Sequence, residues 1–358
     1  MIRVYCHGYG VRTPLGNNAG ELLQCILEGR TALKLHTGVF GCPVPFVASL
    51  FEDRASAPGL SFFESIAVEA AKDALAGTDS ASVALVLASI KGNVEKIGGE
   101  DVSLAASARR IADALGMEIP PLVVSNACIS GLAGLVQGFR MLRSGRYSKV
   151  LVLGAEVQSK FIVTGFQSLK ALSMEQCKPF DAARDGLNLG EAAAAILLST
   201  EEGPWEIVSG AVRNDANHIS GPSRTGEGSW KALCQVLEGI NPEDLAFINV
   251  HGTSTVYNDE MEAIAIDRAG LADVPVNALK GVFGHTMGAA GVLESILSML
   301  SADRGVVLPT RGFSTLGVSR PVKVSASASK TDKKAFIKLL SGFGGVNGAL
   351  LFRKGGER

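Results

Sequence analysis

The sequence predicts an α/β protein built from two similar halves, and two observations carry this prediction. Strand-like and helix-like apolar patterns alternate along the chain, with no low-complexity linker or charge block between them. The alternation restarts after Gly203-Pro204, so the second half reads as a variation on the first. Alternating strands and helices favour a mainly parallel sheet with helices on both faces.

The elements follow from short apolar runs, which predict strands, and from apolar residues at helical spacing, which predict helices. In the first half, residues 1–203, strands are predicted at 2–11, 83–88, 122–125 and 150–153, and helices at 60–76, 103–115 and 129–143. In the second half, residues 204–358, strands are predicted at 205–212, 245–250, 275–279, 322–327, 335–340 and 347–352, and helices at 229–239, 259–269 and 287–302.

Composition excludes several classes of protein. The chain has 358 residues, 47% of them hydrophobic, and a net charge of −1, so no overall basic field attracts nucleic acid. The N-terminal stretch lacks the pattern of a signal peptide, and no apolar run approaches the roughly 18 residues of a membrane span. Six cysteines without CxxC spacing indicate reduced thiols. We therefore expect a cytoplasmic protein that neither spans a membrane nor binds nucleic acid.

A single cysteine lies where a predicted strand meets a predicted helix. In VVSNACISGLAG, residues 123–134, Cys128 follows the strand and precedes an apolar helix. The positive end of the helix dipole and the unpaired amides favour a thiolate there and can also bind an oxyanion. Cys128 is therefore a candidate nucleophile, although an isolated cysteine more often fills a tight joint.

Two more reactive side chains follow predicted strands. His251 comes directly after the strand at 245–250, and Lys280 after the strand at 275–279. Ligands of open α/β sheets bind at the carboxyl ends of strands, so these residues and Cys128 predict one shared site.

The two halves also contain similar helix starts. Cys128-Ile-Ser-Gly-Leu-Ala-Gly and His285-Thr-Met-Gly-Ala-Ala-Gly both place a reactive side chain before a helix that begins with small residues. Small residues at both starts predict that the two helices pack closely, and the echo supports a duplication.

Five segments in order carry a family resemblance: NACISG (126–131), KPFDAARDGLNLGEAAAAILL (178–198), HGTSTVYNDEMEA (251–263), LKGVFGHTMGAAG (279–291) and LSGFGGVNGALLF (340–352). Together they resemble the β-ketoacyl-ACP synthases, the decarboxylating condensing enzymes of the thiolase-like superfamily. Five segments in the right order are far more specific than any one of them. The resemblance implies a thiolase-like fold, in which two duplicated halves form five layers, αβαβα.

The resemblance also implies roles for individual residues. Cys128 matches the acyl-accepting nucleophile, and His251 with His285 matches the two histidines of elongating members. Lys280 and Glu262 match a supporting pair, and Thr253 and Thr255 match hydroxyls that hold the phosphopantetheine arm. Phe343 matches the residue that gates the acyl pocket, and its amide and the Cys128 amide match the oxyanion hole.

The implied reaction is an acyltransferase reaction, the condensation of malonyl-ACP with an acyl chain on Cys128, which extends that chain by two carbons. No cofactor is implied, because the substrates arrive on the phosphopantetheine arm of an acyl carrier protein. The resemblance further implies a dimer formed through the strand at 149–156. A homodimer is expected, and a heterodimer with a related ketosynthase subunit stays open.

Two other functions within the superfamily remain as alternatives. A non-catalytic chain-length-factor-like subunit would lack the nucleophile, but Cys128 and both histidines are present. A degradative thiolase would need a second catalytic cysteine, and neither Cys177 nor Cys234 lies in a matching segment.

Simpler explanations apply to single residues. Asp259 and Glu262 form a D-x-x-E capping box for a helix that begins there. Cys128, His251 and His285 are potential zinc ligands, but no two of them share a short ligand spacing, and no metal is expected.

Departures from the family pattern bear on specificity. NACISG stands where TACATG is commoner, and the chain is shorter than typical elongating synthases between 40 and 62 and between 199 and 205. NACISG and ASIKGN (88–93) resemble variants in condensing enzymes of aryl-polyene and flexirubin-type pigment pathways.

Overall fold

The computed structural model describes residues 2–98 and 102–356. In this part of the chain the helices are α1 (Ala19–Leu27), α2 (Phe62–Ala74), α3 (Leu104–Ala114), α4 (Ser130–Arg143), α5 (Lys160–Ser168), α6 (Glu227–Val236), α7 (Val256–Arg268), α8 (Lys280–Phe283) and α9 (Ala290–Asp303). Every one of these helices is too short or too polar to reach across a membrane.

The strands of the described residues are β1 (Tyr5–Arg12), β2 (Lys34–His36), β3 (Phe46–Ser49), β4 (Ala84–Ala88), β5 (Leu122–Val124), β6 (Lys149–Glu156), β7 (Leu189–Gly190), β8 (Ala192–Ser199), β9 (Trp205–Asn214), β10 (Leu245–Asn249), β11 (Pro275–Asn277), β12 (Val306–Val307), β13 (Lys323–Val324), β14 (Ser329–Lys330), β15 (Ala335–Gly342) and β16 (Val346–Lys354). The predicted strand at 322–327 is thus reduced to two residues, and the prediction missed α1 and α5.

The strand order confirms the predicted duplication. One half has the order β5-β4-β6-β8-β1 and the other β11-β10-β15-β16-β9, with β13 added at the second edge. In both halves the first two pairings are parallel and the next two antiparallel. The expectation of a mainly parallel sheet was therefore wrong, because each half is mixed. The two halves join through a short antiparallel pairing of β1 with β9.

Helices separate the two halves into layers. α4 and α9 pack on each other between the two halves of the sheet, α2 covers the outer face of the first half, and α6 covers that of the second, with α7 against it. Three buried apolar clusters fill the spaces between these layers. The arrangement is the predicted five-layer αβαβα architecture.

Glycines permit the close contact of α4 with α9. A Cβ added to Gly291 would lie 2.2 Å from the Leu132 backbone N, and one added to Gly131 would lie 2.5 Å from the Gly288 carbonyl O. Only glycine fits at such distances. The small residues of the two helix starts are thus explained by packing.

The expected dimer strand needs a correction. β6 (Lys149–Glu156) is hydrogen-bonded to β4 on one side and β8 on the other, so it has no free edge. The edge of this half is β5, the strand before Cys128, whose residues are partly exposed. Backbone groups free to pair with another chain are found on an edge strand such as β5.

Candidate active site

A cavity of about 380 Å³ lies where the carboxyl ends of strands from both halves meet. Six of the eight residues predicted for the site line it: Cys128, His251, Thr253, Thr255, His285 and Phe343. The other two, Lys280 and Glu262, are fully buried and contact the loop that carries His251. The structure therefore brings all eight predicted residues together.

The nucleophile candidate lies on a tight turn between β5 and α4. Ala127 has a φ of +46°, a conformation that is unfavourable for a residue with a Cβ. The Ser130 hydroxyl stabilises the turn, because it accepts from the Asn126 backbone N at 2.8 Å and donates to the Ala127 carbonyl at 2.6 Å. Cys128 follows directly and is buried at the cavity wall.

The thiolate expected at the helix start is not the resting state. Burial raises the pKa of the Cys128 thiol to about 11, although hydrogen bonds from the backbone amides of Phe343 and of Cys128 itself lower it. Desolvation therefore outweighs the helix terminus, and Cys128 is a neutral thiol at pH 7. The two opposing amides are those predicted for the oxyanion hole.

The two histidines form a close pair. Their ring centroids are 4.9 Å apart and the rings are nearly perpendicular, at 81°. The Met287 backbone N donates to Nδ1 of His285 at 3.3 Å, which places the ring proton of His285 on Nε2. Nε2 of His285 and Nδ1 of His251 are buried and have no hydrogen-bond partner among the described residues.

Both imidazoles are neutral. Burial lowers the pKa of His251 and of His285 well below the usual value, and the positive charges of Lys280 and Lys338 lower both further. A neutral imidazole with its proton on Nε2 is a hydrogen-bond donor toward the cavity.

The capping box predicted from Asp259 and Glu262 is wrong, because α7 begins earlier, with Thr255 as its N-cap. Both carboxylates instead turn back from the helix to loop amides. Glu262 accepts from the backbone N of His251 and of Gly252, each at 2.7 Å. Asp259 accepts from the backbone N of Phe180 at 2.7 Å. Glu262 therefore fixes the backbone of His251.

Lys280 forms its ion pair with Glu294 and not with Glu262, the other member of the predicted supporting pair. Its Nζ donates to the His251 carbonyl at 2.6 Å and to Oε1 of Glu294 at 2.9 Å. Oε2 of Glu294 accepts from Nζ of Lys338 at 2.5 Å. The sequence prediction missed Glu294 and Lys338, although each is a single charge in an apolar run, VLESIL and FIKLL.

Phe343 lies on the turn between β15 and β16. A Cβ added to the preceding Gly342 would lie 3.0 Å from the Cys128 backbone N, so the turn closely approaches the nucleophile. The Phe343 ring stacks on Phe166 of α5, with centroids 5.9 Å apart and an angle of 21°. Phe166 also lines the cavity and was missed with its helix.

Thr253 and Thr255 lie side by side between the histidines and α7. Their hydroxyl oxygens are 2.9 Å apart, and both side chains line the cavity. Each hydroxyl can donate and accept, so the pair offers polar contacts to a bound substrate.

Sequence spacing gave no indication of a metal site, but the fold does bring three potential ligands together. One ligand atom each of Cys128, His251 and His285 lies within 4.8 Å of the others. The buried lysines nearby make the positive charge of a cation unfavourable here, and Cys128 is a thiol, not the thiolate that zinc prefers. The donor set fits a hydrogen-bonding site better than a metal site.

The residues that line the cavity do not include the second cysteine that the thiolase alternative requires. Cys177 is buried and donates to the Lys280 carbonyl at 3.2 Å, and Cys234 is exposed on α6. Cys128 is the only cysteine among the residues that line the cavity.

Comparison with known proteins agrees with this geometry. Residues 62–203 match the family described as Beta-ketoacyl synthase, N-terminal domain, and residues 205–314 match Beta-ketoacyl synthase, C-terminal domain. Together these matches cover more than half of the chain.

The chain is similar to proteins along its whole length. It is 27% identical to Nodulation protein E of Rhizobium sp. (strain N33), over 98% of this chain and 99% of that protein. It is 26% identical to 3-oxoacyl-[acyl-carrier-protein] synthase 2 of Vibrio harveyi, over 98% of each. A chain from the structure of the ketosynthase ApeO in complex with its chain length factor ApeC, from Xenorhabdus doucetiae, superposes with a TM-score of 0.89 at 25% identity, over 98% of each chain. The chain therefore belongs to the β-ketoacyl synthase family of acyltransferases, and its fold is the thiolase-like fold of that family.

Proposed function

We propose that this protein extends an acyl chain by two carbons through decarboxylative condensation with malonyl-ACP, and that Cys128 carries the acyl chain. The observation that carries the proposal is the approach of the Cys128, His251 and His285 side chains to within 4.8 Å of one another at one cavity wall. A nucleophile and two hydrogen-bond donors are thereby available to the same substrate.

The first step is transfer of the acyl group to sulfur. The Cys128 sulfur attacks the carbonyl carbon of the acyl thioester, and the bond from that carbon to the pantetheine sulfur breaks. The thiol proton of Cys128 passes to the departing pantetheine sulfur. The backbone amides of Cys128 and Phe343, which already donate toward the Cys128 sulfur, stabilise the oxyanion of the tetrahedral intermediate.

The second step is loss of CO2 from the malonyl group. The bond from its carboxylate to C2 breaks, and the electron pair forms an enolate on the thioester oxygen. Nε2 of His285 donates to this oxygen, and the His251 ring stands beside it as the second donor. Enolate C2 then attacks the acyl carbon, the bond to the Cys128 sulfur breaks, and that sulfur regains a proton.

The remaining predicted residues have supporting roles. Thr253 and Thr255 hold the phosphopantetheine arm, since both side chains line the cavity. Phe343, 37% exposed and stacked on Phe166, gates the acyl pocket. Lys280 and Glu262 hold the backbone of His251 from two sides.

The partners follow from this chemistry. The substrates arrive on the phosphopantetheine arm of an acyl carrier protein, so the reaction needs no separate cofactor. One solved relative is from a complex of a ketosynthase with its chain length factor, which supports a dimer and leaves the choice between a homodimer and a heterodimer to experiment. We also propose a cytoplasmic location, the division into halves at 203/204, and a pigment-type polyene pathway, the last from the NACISG and ASIKGN variants.

The test is a panel of acyl-carrier substrates of graded length and unsaturation, each mixed with malonyl-carrier protein. We expect a product on the carrier that is two carbons longer and bears a 3-keto group, measured by intact mass. Cys128→Ala should abolish it, and Cys234→Ala, an exposed control, should leave it unchanged. Product formation by Cys128→Ala, or none from any substrate with the parent protein, would contradict the proposal. The second result would favour the chain-length-factor alternative.

A further inference from the structure

Lys338 lies in the middle of β15, and its side chain is fully buried. Its neighbours Ile337 and Leu339 are buried apolar residues. An ammonium group in such surroundings is costly unless it is paired and hydrogen-bonded. The reaction steps described above do not involve Lys338, so its burial needs an explanation.

The contacts of Lys338 lead to the histidine loop. Its Nζ donates to Oε2 of Glu294 at 2.5 Å, to Oδ1 of Asn249 at 2.6 Å and to the Val250 carbonyl at 3.3 Å. Asn249 and Val250 directly precede His251. Lys338 therefore holds the chain segment that ends in His251.

The same carboxylate links Lys338 to the second lysine. Oε1 of Glu294 accepts from Lys280, whose Nζ also donates to the His251 carbonyl. Lys338, Glu294 and Lys280 thus form a continuous chain of contacts, which we call the buried triad. It contacts the backbone immediately before His251 and His251 itself.

We propose that Lys338 is a positioning residue for decarboxylation: through the buried triad it fixes the backbone of His251 and places a second positive charge beneath the histidine pair. The inference rests on the proposed function of His251 and His285.

The charges around the buried triad explain how Lys338 can assist decarboxylation electrostatically. Two lysines against Glu294 leave one surplus positive charge. The other ionisable groups that interact with them are the two histidines, Glu262 on α7, and the buried thiols of Cys128 and Cys177, which interact with Lys280. Burial raises the pKa of Glu262 to about 7, so near neutral pH it offsets only part of this surplus. The enolate therefore forms beside two neutral hydrogen-bond donors, the histidine rings, and near the net positive charge of the buried triad.

Stability alone does not account for the triad. Buried ion pairs often stabilise a fold less than apolar residues of the same volume, whereas removal of one partner is costly when it leaves a buried charge unpaired. Lys338→Met leaves no charge unpaired and should fold. Methionine has a similar length, and Glu294 would keep Lys280 as its partner. The variant removes one charge and the contacts to Asn249 and Val250.

The experiment follows the histidine rings of isotope-labelled protein by NMR as a function of pH. The chain has five histidines, so His7, His36 and His218 serve as internal references. We expect the midpoints of His251 and His285 to rise by about one pH unit in Lys338→Met, because a nearby cation is removed. The kcat for CO2 release should fall about tenfold with KM unchanged, less than the roughly hundredfold effect of losing a direct donor.

Lys34→Met is the matched control, because Lys34 is exposed and pairs with exposed Glu52. It should change neither the histidine midpoints nor kcat. Unchanged midpoints and kcat in folded Lys338→Met would overturn the proposal. If that variant does not fold, the histidine resonances of the parent protein are followed instead, because burial lowers the pKa of Lys338 to about 8. Both buried histidine resonances should then shift between pH 7 and 9, and their failure to shift would overturn it.

Failure of the proposed function gives a different result. A parent protein that releases no CO2 from malonyl carrier contradicts the condensation reaction. The histidine titrations still report on the buried triad in that case, because they need no substrate.

Discussion

The two halves of the molecule use the same turn for different purposes. Ala127 and Met287 both have positive φ, +46° and +44°, and each lies three residues before the first residue of a helix, α4 and α9. They are therefore equivalent positions in the duplicated fold. By this register Cys128 corresponds to Gly288, and His285 lies upstream of the joint. The alignment of Cys128 with His285 expected from the sequence is offset by three residues.

The difference shows that the duplication supplies a backbone and not a reaction. In the first half the residue after the strained position is Cys128, the proposed nucleophile. In the second half it is Gly288, whose added Cβ would lie 2.9 Å from Cα of Ser89, so that position serves close packing. The second half places its reactive group on the loop before the turn and adds two buried lysines, Lys280 and Lys338, whereas the described residues of the first half include no buried lysine. In the proposed reaction, one half therefore carries the acyl group and the other stabilises the enolate.

His285→Ala tests this division of labour with the largest expected effect. Acyl transfer to sulfur should persist, whereas CO2 release from malonyl carrier should fall about a hundredfold or more, because one enolate donor is lost. The two steps are measured by intact mass and by CO2 release. His7→Ala, on the far strand β1, is the control. CO2 release at the parent rate would show that groups other than His285 stabilise the enolate.

The pH dependence of thiol alkylation tests the electrostatic contrast between the halves. The Cys128 pKa is raised to about 11 by burial, so below that value the thiolate fraction grows tenfold with each pH unit. Iodoacetamide modification, mapped to Cys128 by peptide mass, should therefore speed up about a hundredfold from pH 7 to 9 without levelling off. A plateau in the alkylation rate near pH 7 would show that Cys128 is a thiolate there, as the helix start alone predicts.

Gly342→Ala tests the point at which the second half reaches the nucleophile. The new Cβ would lie 3.0 Å from the Cys128 backbone N and 3.3 Å from Cβ of Ala127, so the turn must move away from the oxyanion hole. Acylation, followed by stopped-flow or quenched mass analysis, should slow about tenfold, a partial loss of that stabilisation. Gly165→Ala is the control, since nothing lies within 4 Å of its added Cβ. Parent-like acylation would show that the close approach is dispensable.

Gly291→Ala concerns the joint itself, and its expected effect is on stability instead of on the reaction. Its Cβ would meet the backbone of Leu132 at 2.2 Å and of Gly131 at 2.8 Å, and neither group can rotate away. We expect a loss of about 1–3 kcal/mol in the free energy of unfolding. Urea denaturation measures it, with Gly165→Ala in helix α5 again as the control. Equal stability of the two variants would refute the explanation of the small-residue helix starts.

Much of the candidate site could be predicted because its reactive residues follow strands within a few positions. Cys128, His251 and Lys280 each lie at such a position, and the carboxyl ends of neighbouring strands meet at one sheet edge. Local sequence could also place the oxyanion turn, since Gly342 and its neighbours interrupt two apolar strands.

The rest depends on contacts between distant segments. Glu294 and Lys338 are 44 positions apart and become partners only when α9 packs on β15. The thiolate prediction considered the helix terminus but not the depth of burial, which decides the pKa of Cys128. Strand direction was also beyond the pattern, because an apolar run such as Ala192–Ser199 looks the same in parallel and antiparallel pairings.

The central claim is that the Cys128 sulfur of the first half takes up the acyl group. The His251 and His285 imidazoles of the second half then assist the condensation. Intact-mass analysis after mixing the protein with acyl-carrier protein tests it most directly, with the modified peptide identified by fragmentation. The account predicts one acyl adduct, located on Cys128, that disappears on addition of malonyl-carrier protein. An adduct that survives Cys128→Ala, or one that malonyl-carrier protein does not discharge, would contradict it.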